Sequence, residues 1–346
     1  MKRLLLAHSI NALLLCAFCG LATAAPQGAD TPDRIELMNG SVIIGRFLDA
    51  DAGKVTIKTD FAGTISIDQS RIASMDVKSA LTLQLEDGTL LDTAQLVVTQ
   101  QSLTLEDQQL SYDLEQLTRI NPEPWELGVG YRHTGVASAA FSVQRGNTVR
   151  DDLAYRVDSR WRGLRDRYTL EAKGELRETN RERNSENWQI TAKYDRFQTG
   201  DYYWGFAASI EEDRFADLDL RTRIGPYLGR SFFDNTPFLL EVETGVSQIS
   251  ETFGNAENRD YFGLTWSVRS ESNYLGKDSR LYLDHKGVRN LADRQSTILN
   301  TTVGLAFPLL GQIEGAAEVV LNYNSGAVEN VEELDQTYRF RLGYVW

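Results

Sequence analysis

From residue 137 to the C-terminus, bulky apolar and polar residues alternate with a period of two, as the pleat of a half-buried β-strand requires. Twelve such segments are predicted, at 137–144, 152–161, 167–177, 187–196, 202–211, 219–228, 238–248, 261–272, 280–286, 297–307, 312–323 and 337–346. Residues 125–133 also alternate and read as a lead-in to the first strand or an extension of it. The connections differ in length by turns. Leu164-Arg165-Asp166, Gln198-Thr199-Gly200-Asp201, Asp234-Asn235-Thr236-Pro237, Gly276-Lys277-Asp278 and Leu309-Leu310-Gly311 mark tight turns, and the longer charged segments 179–186, 213–217, 250–260, 288–295 and 325–336 lie between them. A soluble sandwich has no reason to sort its loops by parity.

The cost of burying charge assigns the two faces. In 167–177, Tyr168, Leu170, Ala172, Gly174 and Leu176 share one face, and Thr169, Glu171, Lys173 and Glu175 the other. Turning this strand over would place Lys173 near the middle of a bilayer at roughly 2–4 kcal/mol for that residue alone. The same reasoning sends Leu153, Tyr155, Val157, Trp161, Val242, Val246, Phe340 and Leu342 outward. It sends Arg156, Asp158, Arg160, Glu171, Lys173, Glu175, Arg221, Arg223, Glu241, Glu243, Glu314, Glu318, Arg339 and Arg341 into a lumen lined by both signs of charge. An even number of antiparallel strands with one lipid face is a twelve-stranded transmembrane β-barrel, all-β in class. Aromatics gather beside the tight turns at Trp161, Tyr168, Tyr194, Tyr202, Trp204, Phe238, Tyr344 and Trp346, in the manner of an interfacial girdle. The final strand, with Tyr338, Phe340, Leu342, Tyr344 and Trp346 on one face, resembles the C-terminal signal that the barrel-assembly machinery reads on bacterial outer-membrane barrels.

The other end supplies the address. Lys2 and Arg3 precede a mostly apolar stretch to Leu21, and Ala22-Thr23-Ala24 offers the small-x-small pattern of signal peptidase, so 1–24 reads as an export signal. Cys16 and Cys19 leave with it, and the mature chain has no thiol. Residues 33–121 read as a small periplasmic β-module with a tandem repeat. Leu37-Met38-Asn39-Gly40-Ser41 matches Leu85-Glu86-Asp87-Gly88-Thr89, Val55-Thr56-Ile57 matches Leu103-Thr104-Leu105, and Ile65, Asp68 and Ile72 match Leu110, Asp113 and Leu117. The pattern loosely resembles small Sm-like β-barrels, and Asp68 and Asp113 read as turn or cap residues. Asn121-Pro122-Glu123-Pro124 ends the module, and 125–346 forms the barrel.

Composition narrows the function. A net charge of −13 without a basic, aromatic-rich patch excludes nucleic acid as a partner. Of three histidines only His133 and His285 survive export, and neither has metal-ligand spacing. His285, within Asp284-His285-Lys286, has no neighbouring serine to serve a lipid hydrolase. Asp51, Asp60, Asp217 and Asp219 show no calcium-ligand ladder and read as solvated turns. No catalytic residue, metal site or cofactor is expected. The lumen charges can brace the interior by pairing across strands, or line a selective path for ions or small solutes.

Ala192-Lys193-Tyr194-Asp195-Arg196-Phe197, then Glu212-Asp213-Arg214-Phe215-Ala216-Asp217-Leu218-Asp219-Leu220-Arg221 and Gly225-Pro226-Tyr227-Leu228-Gly229, together with Arg145-Gly146-Asn147-Thr148 and the terminal strand, resemble the salt-induced outer-membrane protein family, the YdiY-like barrels of unknown function. The resemblance spans about 137–346 and leaves the repeat module outside. It implies an outer-membrane barrel with an envelope or osmotic-stress role and no established substrate. Asp195, Arg196, Asp213 and Arg214 are expected to meet as a charge cluster, as a structural clamp or a binding site. The expected location is the bacterial outer membrane with the module in the periplasm. Expected partners are outer-membrane lipid and lipopolysaccharide, the assembly machinery, and a periplasmic protein or peptidoglycan for the module. A narrow channel, an envelope scaffold and, third, an outer-membrane lipid hydrolase are the functions to be separated.

Overall fold

The computed structural model describes residues 32–346 except 52–53, 100–101, 114–115, 145–149, 181, 199–200, 236–237, 274, 276–278, 293–295 and 327–331. The expected export signal and the Arg145-Gly146-Asn147-Thr148 element lie outside the described residues. The chain forms two compact units that divide between Asn121 and Pro122.

The first unit is all strand. β1 (Asp33–Leu37), β2 (Val42–Asp51), β3 (Lys54–Thr59), β4 (Gly63–Asp68) and β5 (Ile72–Val77) form one copy. β6 (Leu81–Leu85), β7 (Leu90–Thr93), β8 (Leu96–Val98), β9 (Ser102–Leu105), β10 (Leu110–Asp113) and β11 (Leu117–Ile120) form the second, with β7 and β8 together standing where β2 stands in the first. The repeat extends to single hydrogen bonds. Gly40 N–H donates to the Leu37 carbonyl and Gly88 N–H to that of Leu85, both at 2.9 Å. The Asn39 and Asp87 side chains accept from Ser41 N–H and Thr89 N–H, respectively. Gly40 and Gly88 hold φ of 80° and 84°, a left-handed turn conformation that a side chain would strain. Asp68 caps a short 3₁₀ turn at Gln69–Arg71. The Ser70 hydroxyl, and then its N–H, hold the Asp68 carboxyl below the usual carboxylate range.

The eleven strands make one sheet ordered β10-β9-β8-β5-β1-β2-β11-β6-β7, with β3 and β4 continuing from β2. Its inward residues, among them Ile35, Val55, Ile57, Val77, Leu83, Leu96, Leu103, Leu105 and Ile120, are all but inaccessible and form a single core. Buried Asp33 ties β2 to the segment that follows β5, accepting from Phe47 N–H at 2.7 Å and Lys78 N–H at 2.8 Å.

The second unit opens with a 3₁₀ turn at Pro124–Leu127 rather than a lead-in strand. Pro124 fixes the first turn, and the Glu123 and Glu126 side chains cap it, so the alternation of 125–133 becomes strand only from Arg132. Twelve strands then close into one antiparallel barrel: β12 (Arg132–Gln144), β13 (Arg150–Arg162), β14 (Asp166–Thr179), β15 (Glu182–Phe197), β16 (Tyr202–Asp213), β17 (Leu218–Asn235), β18 (Phe238–Phe253), β19 (Arg259–Ser272), β20 (Arg280–Asn290), β21 (Thr297–Leu310), β22 (Ile313–Asn324) and β23 (Leu334–Val345). β23 returns to β12 through Val136↔Val345, Ala137↔Tyr344, Ser138↔Gly343 and Ala139↔Leu342, and Gly135 and Trp346 exchange backbone hydrogen bonds at 3.0 and 3.1 Å.

Strand ends depart from the sequence pattern. The strands run from 11 to 18 residues, against the roughly 9–11 that a tilted strand needs to cross hydrocarbon. Their hairpins therefore continue into water. Segment 179–186, expected as a loop, stays paired through Glu178↔Arg183 and Thr179↔Glu182, because Arg183 reaches Glu186 at 2.8 Å and Glu178 at 3.6 Å. Loop length therefore sorts the two rims less cleanly than expected: the tight-turn side includes 273–279, and the opposite side includes 180–181. The aromatic belt sorts them instead. On the outer wall beside the tight turns, Tyr131, Tyr168, Tyr194 and Trp204 follow one another with ring centres 5.2–6.1 Å apart. His133 stacks on Trp161 at 4.7 Å and meets Trp346 at 5.8 Å. Tyr155, Val157, Tyr168, Leu170, Val246, Phe340 and Leu342 are exposed on the outer wall, as the face assignment requires.

A closed barrel with an apolar exterior and a charged interior is a membrane-spanning one, since closure alone satisfies every strand edge in hydrocarbon. The protein is an outer-membrane β-barrel with a periplasmic N-terminal β-module.

The lumen as candidate functional site

Successive residues of a strand point to opposite faces, so the lumen is built from every second residue of β12–β23. All of the charged residues assigned inward line it or pair within it. Arg167, Asp195, Arg221, Glu241, Glu251, Glu318 and Arg341 are buried there. Each of these charges answers another. Arg167 Nε lies 2.5 Å from Asp195 and its Nη1 2.5 Å from Glu241. Asp195 also accepts the Tyr227 hydroxyl. Arg221 joins Glu251 at 2.7 Å and Glu211 at 3.1 Å, and Arg341 pairs with Glu318. Lys193 Nζ sits 2.7 Å from both oxygens of Glu243, which also accepts from Tyr203 at 3.0 Å. Tyr203 and Tyr227 lie flat on the wall because their register partners are Gly229 and Gly205; a Cβ at either glycine would meet the facing ring at 2.3 Å.

Some pairs cross the lumen. β14 and β20 stand six strands apart in a ring of twelve, directly opposite one another. Lys286 of β20 reaches Glu171 of β14 at 2.5 Å. Beside it Arg156 of β13 bonds Asp158 at 2.5 Å and lies 3.5 Å from Asp284 of β20. Arg339 reaches Glu175 at 3.5 Å. Glu171, Lys286, Asp284 and Arg156 therefore form a bar across the barrel. On the tight-turn side of it lies a vestibule of about 640 Å³, lined by Arg160, Arg269, Arg280 and Glu314 among others. On the opposite side lies one of about 490 Å³, with Trp188, Phe215, Arg221, Asn322 and Asp335 in its wall. Between them the space is broken into chambers of about 130, 100 and 30 Å³. At roughly 30 Å³ per water, those chambers admit one to four waters each.

The expected cluster of Asp195, Arg196, Asp213 and Arg214 does not form. The antiparallel register pairs Asp195 with Gly205 and Asn187 with Asp213, which sets the two dipeptides at opposite ends of β16, about 27 Å apart at 3.4 Å per residue. Asp195 is an inner-wall residue, and Arg196 pairs with Asp166 at 2.7 Å on the outer wall. Asp213 caps the 3₁₀ turn Arg214–Ala216 through Phe215 N–H and Ala216 N–H, and Arg214 bonds Glu186 at 2.8 Å. Of the aspartates weighed for calcium, Asp217 instead clasps a neighbouring loop, accepting from Asn255 N–H at 3.0 Å and Ala256 N–H at 3.2 Å. Among the described residues no group of histidines, cysteines and carboxylates is arranged to hold a metal.

Sequence reasoning missed Asp284 and Lys286 as lumen residues, although the alternation Arg280, Tyr282, Asp284, Lys286 within β20 carried the signal. His285 between them therefore points outward. Its Nε2 accepts from the Trp266 indole at 3.1 Å, and its Nδ1 lies 2.8 Å from the Thr301 hydroxyl. An indole N–H only donates, so Nε2 has no hydrogen and Nδ1 carries it, donating to Thr301.

The family model described as "Protein of unknown function, DUF481" matches residues 137–346. No curated protein matches the chain. Among solved structures, it is similar to the translocator domain of autotransporter NalP from Neisseria meningitidis, at 12% identity and a TM-score of 0.36 over 63% of this chain and 88% of that one. It is also similar to the NanC porin, at 11% identity and 0.39 over 61% and 97%, and to the KdgM porin, at 13% and 0.34 over 62% and 98%. No residue role is carried over from them.

Proposed function

We propose, from the premise that this chain belongs to the DUF481 family, that its barrel is a narrow channel for ions or small solutes. One observation carries the reading: two vestibules of about 640 and 490 Å³ flank a series of small polar chambers at a bar of paired charges. A barrel built only for rigidity has no need of vestibules at both mouths. A wide porin would not place Lys286 on Glu171 across its centre. The salt-induced and osmotic-stress association of the resembled family fits a small leak for ions. Purified protein in a planar bilayer should give discrete conductance steps; a silent membrane at high protein load rejects the channel. Replacing both members of the bar, Glu171→Gln with Lys286→Gln, removes their attraction without orphaning a charge. Unit conductance should rise at least twofold, and an unchanged step would mean that the bar does not limit flow.

A second reading, an envelope scaffold, rests on the module. Phe61, at the tip of the β3–β4 hairpin, is 82% exposed, and Met38 at another turn is 59% exposed. Aromatic side chains are enriched where proteins meet, and in this reading Phe61 is the module's point of contact with another envelope component. A photo-crosslinking residue at position 61 should capture a discrete periplasmic partner or peptidoglycan in intact cells, and a blank result counts against the scaffold. Lipid hydrolysis through His285 has no such support, because the nitrogen facing Thr301 already carries a hydrogen and cannot take the hydroxyl proton.

A further inference from the structure

The carboxylates and the cations of the lumen are not equally engaged. Asp158, Glu171, Glu175, Asp195, Glu211, Glu241, Glu243, Glu251, Glu271, Asp284, Glu314 and Glu318 each meet a basic side chain. Arg160, Lys173 and Arg223 also face the lumen, and among the described residues none of the three makes an ion pair or a side-chain hydrogen bond. Two of them share one place. Lys173 of β14 and Arg223 of β17 both line the chamber of about 100 Å³, together with Lys193 of β15 and Lys286 of β20. The carboxylate in its wall is Glu243, already held by Lys193 and Tyr203, and Glu211, which stands near Lys173 and Arg223 just outside the wall, is bonded instead by Arg221 at 3.1 Å and Gln189 at 3.3 Å. Lys286 is likewise held by Glu171 outside that wall. Arg223 keeps a buried Nε with no acceptor, as do Arg177, Arg230, Arg339 and Arg341, but those four each pair with a carboxylate and Arg223 does not. Neutral donors such as Asn300 complete the lining.

We infer that this chamber is a binding site for a small oxyanion, a carboxylate or a phosphate-sized ion, seated between Lys173 and Arg223. Two of the four cations there, Lys173 and Arg223, have no carboxylate bonded to them, and an oxyanion supplies both the charge and the acceptor that Arg223 Nε lacks. At about 100 Å³ the chamber holds three or four waters, which fits an ion of acetate or phosphate size and excludes an oligosaccharide. The site adjoins the Glu171–Lys286 bar, so an ion passing between the vestibules meets it. This gives the channel proposed above a sign, and in that respect it rests on that reading: the path favours anions.

The test uses the full mature chain folded in detergent, with heat-modifiable mobility as the check on folding. Calorimetric titration with inorganic phosphate and, separately, with acetate should show saturable 1:1 binding of at least one. Phosphate binding more tightly identifies a multiply charged oxyanion, and acetate binding more tightly a carboxylate. Lys173→Gln combined with Arg223→Gln should weaken binding at least tenfold, while Arg160→Gln, whose cation lies outside this chamber, should leave it unchanged. Absence of saturable binding, or equal affinity in the double variant, overturns the site. In a bilayer under a potassium chloride gradient the reversal potential should mark chloride as the favoured ion, and the double variant should move it toward potassium. A reversal potential that favours potassium in the unaltered protein overturns the anion path. Binding with a silent bilayer would sink the channel and leave the chamber standing, and conductance without binding would do the reverse.

Discussion

Arg167→Met should cost the barrel about 3–5 kcal/mol, read as the shift in its urea midpoint in detergent or lipid vesicles. The guanidinium is 6% exposed and serves two carboxylates with two different nitrogens, Asp195 through Nε and Glu241 through Nη1. Asp195 has no exposure at all, and its remaining partner, the Tyr227 hydroxyl, brings no charge. Removing the cation therefore strands two carboxylates in a space that water barely reaches, and stranding a buried charge costs more than a lost pair returns. Arg167→Lys should recover only part of the loss, since one ammonium cannot reproduce the fork. Adding Asp195→Asn and Glu241→Gln to Arg167→Met should restore most of it, because no unpaired charge remains. A single variant within 1 kcal/mol of the parent would show that the cluster does not hold the wall together.

Deleting Leu342–Trp346 should abolish the folded barrel altogether. Those five residues carry every hydrogen-bonded pair between β23 and β12. Without them two strand edges face hydrocarbon, where each unsatisfied backbone group costs several kcal/mol. The measurement is heat-modifiable mobility in membranes of cells producing the truncated chain, and a compact, heat-shifted band would refute the expectation. Trp346→Ala is the milder contrast. It keeps the backbone exchange with Gly135 and loses the indole bond to His133 at 3.1 Å and the ring cover over Gly135. The barrel should still close, with reduced yield.

The strands and their faces were legible in the sequence because alternation is a local property. Glu171 and Lys173 could be turned inward from their own strand alone, and so could Arg339 and Arg341. Strand ends were not legible: nothing in 179–186 distinguishes a charged loop from a charged hairpin standing in water, and only the pairing of Arg183 with Glu178 and Glu186 decides it. Partners were less legible still. Glu171 and Lys286 are 115 residues apart, and their meeting depends on ring closure and stagger, which no window of sequence contains. The same blindness joined Asp195 to Asp213 in expectation, when register sends them to opposite rims. The anion chamber escaped notice for a related reason. A list of lumen charges looks balanced, and the imbalance emerges only when each carboxylate is matched to its cation.

The module's sheet order holds one last implication. β5, which ends the first copy, lies between that copy's own β1 and the second copy's β8; β11, which ends the second, lies between its own β6 and the first copy's β2. Each half thus lends its closing ribbon to its sibling, as the two subunits of an intertwined homodimer do. The periplasmic unit is a dimer written into one polypeptide, and any boundary drawn between its halves cuts through both of them.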